Sequence, residues 1–370
     1  CLDESAYLPD TNHLDNTPIK YIRVNFHFMN AEDSTKNYNG ARAKRFARQL
    51  IEAATGGLEK NTKMLLPQNN QTPVLPVRYR YQIATSRGYE QDSGIYCHYD
   101  DRLYWFVSRG KNRNNYDRDV LQTYGIGMDS IINLFIMPHH PDSVLSESYS
   151  VTSAGIALGA GVKLSGIFET RKEAWAFRGL INHEIGHVLG LRHTWNTNDG
   201  CDDTPKNPNC WNVDLPPPCD TAASNNLMDY NASQSAWSPC QIGKIQMAMA
   251  KENSLVRKML IPNWCHLDPN KTIIITDTIQ WRGAKDLEGN LVIGPGGVLE
   301  VFCRLSMPPG SEIQVQEGGK LVLHSARLHN ACGMDWKGIT VSQRKTNPGT
   351  VVYAGDTRIE NVPSSSEMQE

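Results

Sequence analysis

The sequence predicts an α+β domain, a mixed twisted sheet with helices, followed by an all-β C-terminal module. Three observations point that way. Before about residue 265, strand-like runs such as Ile19–Met29 and Ile131–Met137 alternate with helical spacing, as at Ala41–Ala54. From about residue 266 the helical period disappears, and short Val/Ile/Leu runs alternate with Gly. Within that region Leu291, Ile293, Gly296, Gly297, Leu299 and Val301 align, at an offset of 22, with Ile313, Val315, Gly318, Gly319, Leu321 and Leu323.

Taken in order, residues 1–18 are polar and read as a tether. In Ile19–Met29, Ile22, Val24, Phe26 and Phe28 share one face. The helix at Ala41–Ala54 is expected to stop at Gly56-Gly57. Val74–Ile83 and Leu103–Val107 read as strands, and the basic run at 109–119 reads as a solvated loop. A Gly/Ser-rich stretch, 153–166, is a candidate edge strand, and 171–190 reads as one helix. The expected domains are 19–265 and 266–370. A period near 22 suits stacked β coils, each burying its inner face on the next, and two strand pairs of a β-sandwich are the competing arrangement. Two clear repeats are few, so this module is expected to lean on the preceding domain or to continue past Glu370.

Composition narrows the function. Lys+Arg number 37 against 39 Asp+Glu, a net charge of -2, which removes the electrostatic case for nucleic acid. No apolar run reaches the ~18 residues of a membrane helix. The nine cysteines are Cys1, Cys97, Cys201, Cys210, Cys219, Cys240, Cys265, Cys303 and Cys332, with no CxxC pair. Four fall between 201 and 240 in a Pro/Asn/Asp-rich loop whose ordering disulfides would favour. An extracellular or bacterial cell-surface location follows. Cys1 reads either as the lipid-modified first residue of a lipoprotein or as an arbitrary chain boundary.

His183-Glu184-Ile185-Gly186-His187 carries the chemistry. On a helix, His183 and His187 lie one turn apart on the same face and can bind one Zn²⁺ at about 2.0–2.1 Å each. Glu184 lies beside that face, placed to take a proton from water. Gly190 allows a positive φ that ends the helix, so His193 can supply a third ligand. HExxH alone arises by chance in about one such chain in fifty, but with the further Gly and His the odds fall to roughly one in twenty thousand.

The run HEIGHVLGLRH matches HExxHxxGxxH, and here the chain resembles the metzincin zinc endopeptidases. Asn226-Leu227-Met228-Asp229-Tyr230 resembles their Met-turn. With His193-Thr194-Trp195, Asp203-Thr204-Pro205 and the four loop cysteines, it looks most like the pappalysin-like group, the cytophagalysins that include ulilysin. The resemblance spans residues 20–262 in layout and 183–245 at motif level. It implies a metzincin-type catalytic domain with an active-site helix and Met228 beneath the metal. His183, His187 and His193 would hold one catalytic zinc, Glu184 would be the general base, and Tyr230 would face the oxyanion. Asp203 and Thr204 would belong to a structural calcium segment. By the same pattern Cys201 would pair with Cys219 and Cys210 with Cys240; the residues alone allow three pairings. Cys303 with Cys332 is a separate expectation, and Cys97 and Cys265 stay unassigned.

In that family an acid shortly after the Met-turn Tyr accompanies preference for basic residues after the scissile bond. Here Tyr230 is followed by Asn231-Ala232-Ser233-Gln234-Ser235, so that preference does not carry over. With about 18 residues before the first strand, the chain is expected either to be a mature form or to lack the inhibitory prosegment that members of the family often carry. The expected function is a secreted or surface-anchored zinc metalloendopeptidase acting on polypeptides. The alternative is a non-catalytic surface binding or adhesion protein on a metzincin scaffold, suggested by the β module and the tether; intact Glu184 and Tyr230 count against it. A zinc hydrolase of another amide is a third reading. Nothing in residues 266–370 identifies a partner, and Trp281 and Trp336 suit a core as well as a ligand platform.

Overall fold

A computed structural model describes residues 1, 3–33, 38–84, 93–147, 149–170, 172–195, 199–344 and 346–363. It divides into two compact units, residues 19–248 with 253–261, and residues 1–18 with 249–252 and 262–370.

The first unit is built on a six-stranded sheet. Its strands are β1 (Lys20–Asn30), β2 (Tyr79–Ile83), β3 (Ile95–Tyr99), β4 (Ile132–Ile136), β5 (Ala154–Leu158) and β6 (Gly161–Ser165). Their order is β2-β1-β4-β6-β5, and β3 also pairs with β1. All pairings are parallel except β5 with β6. Both faces of β1 are covered, as a parallel strand requires. On one face Ile22, Val24, Phe26 and Phe28 are fully buried, as the alternation predicts. On the other, Met29 joins Leu103, Phe106, Val120, Leu121 and Phe135 in a second apolar cluster. Leu103–Val107 is therefore a buried turn segment and not a strand, while β3 carries a pairing the sequence reading missed. Strand β2 is shorter than expected because Pro73 and Pro76 lack N–H donors and Arg78 has a φ of 60°.

Helix α1 (Gly40–Glu59) presents Ala43, Phe46, Ala47, Leu50, Ile51, Ala54 and Leu58 as one buried stripe. It passes through Gly56 and Gly57 instead of stopping there, capped at Lys60. The expected helix over 171–190 is a 3-10 turn, Ala174–Phe177, followed by α2 (Arg178–Val188).

The second unit is a stack of four coils. Coil strands β7 (Ile273–Ile275), β10 (Leu291–Ile293), β13 (Ile313–Val315) and β16 (Ile339–Val341) form one parallel sheet. A second contains β8 (Thr278–Trp281), β11 (Val298–Val301), β14 (Lys320–His324) and β17 (Thr350–Ala354). The third contains β9 (Lys285–Asp286), β12 (Arg304–Ser306), β15 (Arg327–His329) and β18 (Arg358–Ile359). The offset of 22 is the register itself: Leu291 pairs with Ile313 and Leu299 with Leu321. This is the coil arrangement, not the sandwich. Trp281 and Trp336 both belong to its core.

Residues 1–18 are part of this second unit and not a free tether. Cys1 is disulfide-bonded to Cys303, and His13 Nε2 lies 3.1 Å from Asp277 Oδ2. Cys265 pairs with Cys332, which corrects the expected Cys303–Cys332 bond.

Candidate metal centre

Helix α2 carries the first two imidazoles. Its backbone bonds put His183 and His187 on one face, and Gly190, at a φ of 97°, turns the chain back so that His193 meets them. His193 Nε2 lies 3.1 Å from His183 Nε2 and 2.9 Å from His187 Nε2. The other ring nitrogens face carbonyls: His183 Nδ1 donates to Leu227 O at 2.6 Å, and His187 Nδ1 to Leu191 O at 3.0 Å. A carbonyl only accepts, so each of these Nδ1 atoms carries the ring proton and each Nε2 presents a lone pair. Lone pairs converging at about 3 Å repel unless a cation lies among them, and three neutral imidazoles are a zinc donor set. Protons do not fill that role. Burial, then the neighbouring imidazoles, pushes both His183 and His193 down to about 3.

Glu184 is 4% exposed, beside strand β5. A Cβ on Gly155 would lie 2.5 Å from Glu184 Cγ, so the strand can pass this close only because residue 155 has no side chain. Burial raises the Glu184 carboxyl to about 8, against which a backbone hydrogen bond from Ala157 acts. A carboxyl so poised can both take and return a proton near neutrality.

Beneath the helix, Met228 is fully buried. A Cβ on Gly186 would come within 2.6 Å of Met228 Sδ and 2.8 Å of Trp237, so Gly186 lets α2 settle on the turn. Tyr230, 46% exposed, stands over the imidazoles, with its ring centroid 5.5 Å from that of His183 and 5.1 Å from that of His193. Trp195 stacks on His193 at 3.9 Å and touches Tyr230 at 4.4 Å. The Thr194 hydroxyl donates to the buried Asp229 carboxylate, which also accepts from Asn207 Nδ2 at 3.1 Å. These bonds tie the chain after the third imidazole to the turn beneath the first.

Asp203 and Thr204, the residues of the expected calcium segment, both make hydrogen bonds within the chain. The Ser238 hydroxyl and the Cys240 N–H donate to the two Asp203 oxygens at 2.7 and 3.0 Å, capping helix α3 (Pro239–Ala250). The Thr204 hydroxyl donates to Asp199 at 2.7 Å. Cys201, Asp203 and Cys240 converge closely enough to hold an ion, but the two sulfurs are bonded to each other and are no thiolates. The pairs here are Cys201–Cys240 and Cys210–Cys219, which corrects the pattern expected from the resemblance. The physical reason is the path of the chain: capping by Asp203 brings the start of α3 against Cys201, leaving Cys210 for Cys219 across a short loop. Asp229 lies in the quoted Met-turn motif, but Gly155 and Gln234, which touch the functional side chains, carry no sequence signal of their own; their roles are set by close approach between distant segments.

Residues 158–250 match a peptidase family, M43, described as Pregnancy-associated plasma protein-A. The match spans the converging imidazoles, the Met228 turn and α3, and over it the chain is similar to the pappalysin-like metzincins, a metallopeptidase family. Among solved structures, mature mirolysin of Tannerella forsythia in complex with a cleaved peptide is 15% identical, with 65% of this chain and 94% of that chain covered and a TM-score of 0.44. A point mutant of promirolysin from the same organism is 15% identical over 66% and 84%, with a TM-score of 0.45. Mirolysin in complex with compound 9 is 16% identical over 65% and 96%, also at 0.45. No curated protein matches this chain.

Proposed function

We propose that this protein is an exported zinc metalloendopeptidase. The observation that carries the reading is the convergence of three imidazole Nε2 atoms beside a buried carboxyl. His183, His187 and His193 would hold the ion. Zinc, when bound, supplies Lewis acidity that makes water a competent nucleophile near neutral pH. Glu184 accepts the proton of the attacking water and returns it to the leaving amine. Tyr230, half-exposed at the rim, is free to turn its hydroxyl toward the developing oxyanion. Strand β5 ends the sheet, so its outer backbone groups suit an extended polypeptide lying alongside by added-strand pairing. Four disulfides support an oxidising, extracellular or surface location. No helix among the described residues is long and apolar enough to cross a membrane.

Digestion of a peptide library tests this. The wild type should contain one zinc per chain and cleave internal bonds, with cleavage lost to chelators. Glu184→Gln should keep zinc and lose cleavage. Zinc retained with no turnover of any peptide by the wild type would refute the proposal in favour of the binding-protein reading.

A further inference from the structure

We infer that Gln234 is a positioning residue for the metal centre, acting through the turn that holds His183. Its side-chain nitrogen donates to Asp229 O at 2.9 Å and to Leu227 O at 3.2 Å. These two carbonyls flank Met228, so one amide clasps the Met-turn across its buried methionine. Both partners only accept, which fixes which end of the amide is nitrogen.

Leu227 O is also the acceptor for His183 Nδ1, at 2.6 Å. Gln234 Nε2 lies 3.2 Å from that same Nδ1. Two donors facing each other do not bond; they share the carbonyl between them. Gln234 thus holds the acceptor that fixes the tautomer and rotation of the His183 ring, which aims Nε2 at the ion. The opposite end of the amide rests against the first turn of α2. A Cβ on Gly179 would lie 2.8 Å from Gln234 Oε1, so the bare Gly179 leaves the room that this side chain occupies. The amide is therefore wedged between the helix that carries His183 and the turn that anchors it. Outer-shell partners of metal-bound histidines are typically worth about 10–100-fold in metal affinity.

This inference rests on the zinc reading above, and the test separates the two. Zinc affinity is measured by chelator competition for the wild type, Gln234→Met, Gln234→Glu and, as a neighbour control, Ser235→Ala. The melting temperature of each metal-free protein and the visible spectrum of each cobalt-substituted form are recorded alongside. Gln234→Met keeps the bulk and removes both donors. It should bind zinc about 10–100-fold more weakly, shift the cobalt bands, and melt, metal-free, within ~4 °C of the wild type. Gln234→Glu, which sets an acceptor against two carbonyls, should lose at least as much. Ser235→Ala should match the wild type. A Gln234→Met affinity within about threefold of wild type, or a metal-free melting temperature lowered by more than ~10 °C, would overturn the positioning role and leave the zinc reading standing. A wild type that binds no zinc would sink both.

Discussion

Glu184→Gln should stabilise the metal-free protein, by an amount that grows with pH. The carboxyl is 4% exposed and its pKa stands at about 8 in the folded protein, against 4.5 for the ordinary side chain. Below pH 4.5 it is protonated in both folded and unfolded chains and contributes no difference. As pH rises from 4.5 to about 8, the unfolded chain gives up its proton while the folded protein retains it, so stability falls. Above about 8 both are ionised and the whole penalty is present. At about 1.36 kcal/mol per tenfold change in proton affinity, the ceiling is roughly 5 kcal/mol. Glutamine keeps the size and the acceptor that meets the Ala157 backbone, yet has no charge to desolvate. Chelator-treated wild type and Glu184→Gln should thus unfold alike in urea near pH 4.5, and the variant should gain several kcal/mol by about pH 8. Adding zinc should narrow the gap, because a nearby cation favours the carboxylate in the wild type. Parallel stability-against-pH curves for the two metal-free proteins would refute the claim that burial, not catalytic need alone, sets the state of this carboxyl.

Three further outcomes follow from particular contacts. Gly155→Ala puts a methyl group 2.5 Å from Glu184 Cγ, so the carboxyl must shift by about 1 Å. Steady-state kinetics should show kcat lowered by ~100-fold with zinc content unchanged. Replacing Cys201 and Cys240 with Ser opens a loop of 39 residues and should cost about 4 kcal/mol in urea unfolding, since that loop's freedom returns to the unfolded chain. Leu321→Ala empties a fully buried site between Leu299 and Val351 and should destabilise the coil stack by about 2–5 kcal/mol, read by calorimetry as a lowered transition for residues of the second unit.

What the sequence disclosed and what it hid follow the range of the interactions involved. His183 and His187 are legible because four residues make one helical turn, and Gly190 because a positive φ leaves few other choices. The buried face of β1 is legible for the same reason: alternation is local. The disulfide pairs are not legible, because which cysteine meets Cys201 depends on where Asp203 seats the start of α3, 37 residues away. Gly155 and Gln234 matter through neighbours that only the folded chain supplies. Helix α1 runs on through Gly56 and Gly57 because its stripe to Leu58 remains buried, which outweighs about 1 kcal/mol per glycine.

The coil stack shows why one period is visible where four coils exist. Successive partners in the first sheet are Ile273, Leu291, Ile313 and Ile339, at spacings of 18, 22 and 26 residues, because the turns between strands differ in length. No single period therefore runs through all four coils, and the offset of 22 holds only between the second and third. What recurs instead is a contact. Gly297, Gly319 and Gly349 each precede a strand of the second sheet, and a Cβ on them would lie 2.2, 2.5 and 2.5 Å from Ile275 O, Ile293 O and Val315 O of the coil before. The first coil has no coil before it to crowd this position, and there the residue is Asp277, whose carboxylate reaches His13 instead. Stacking, not the turn, therefore demands the glycine: a residue with a side chain stands at this position only in the first coil, where its carboxylate meets His13.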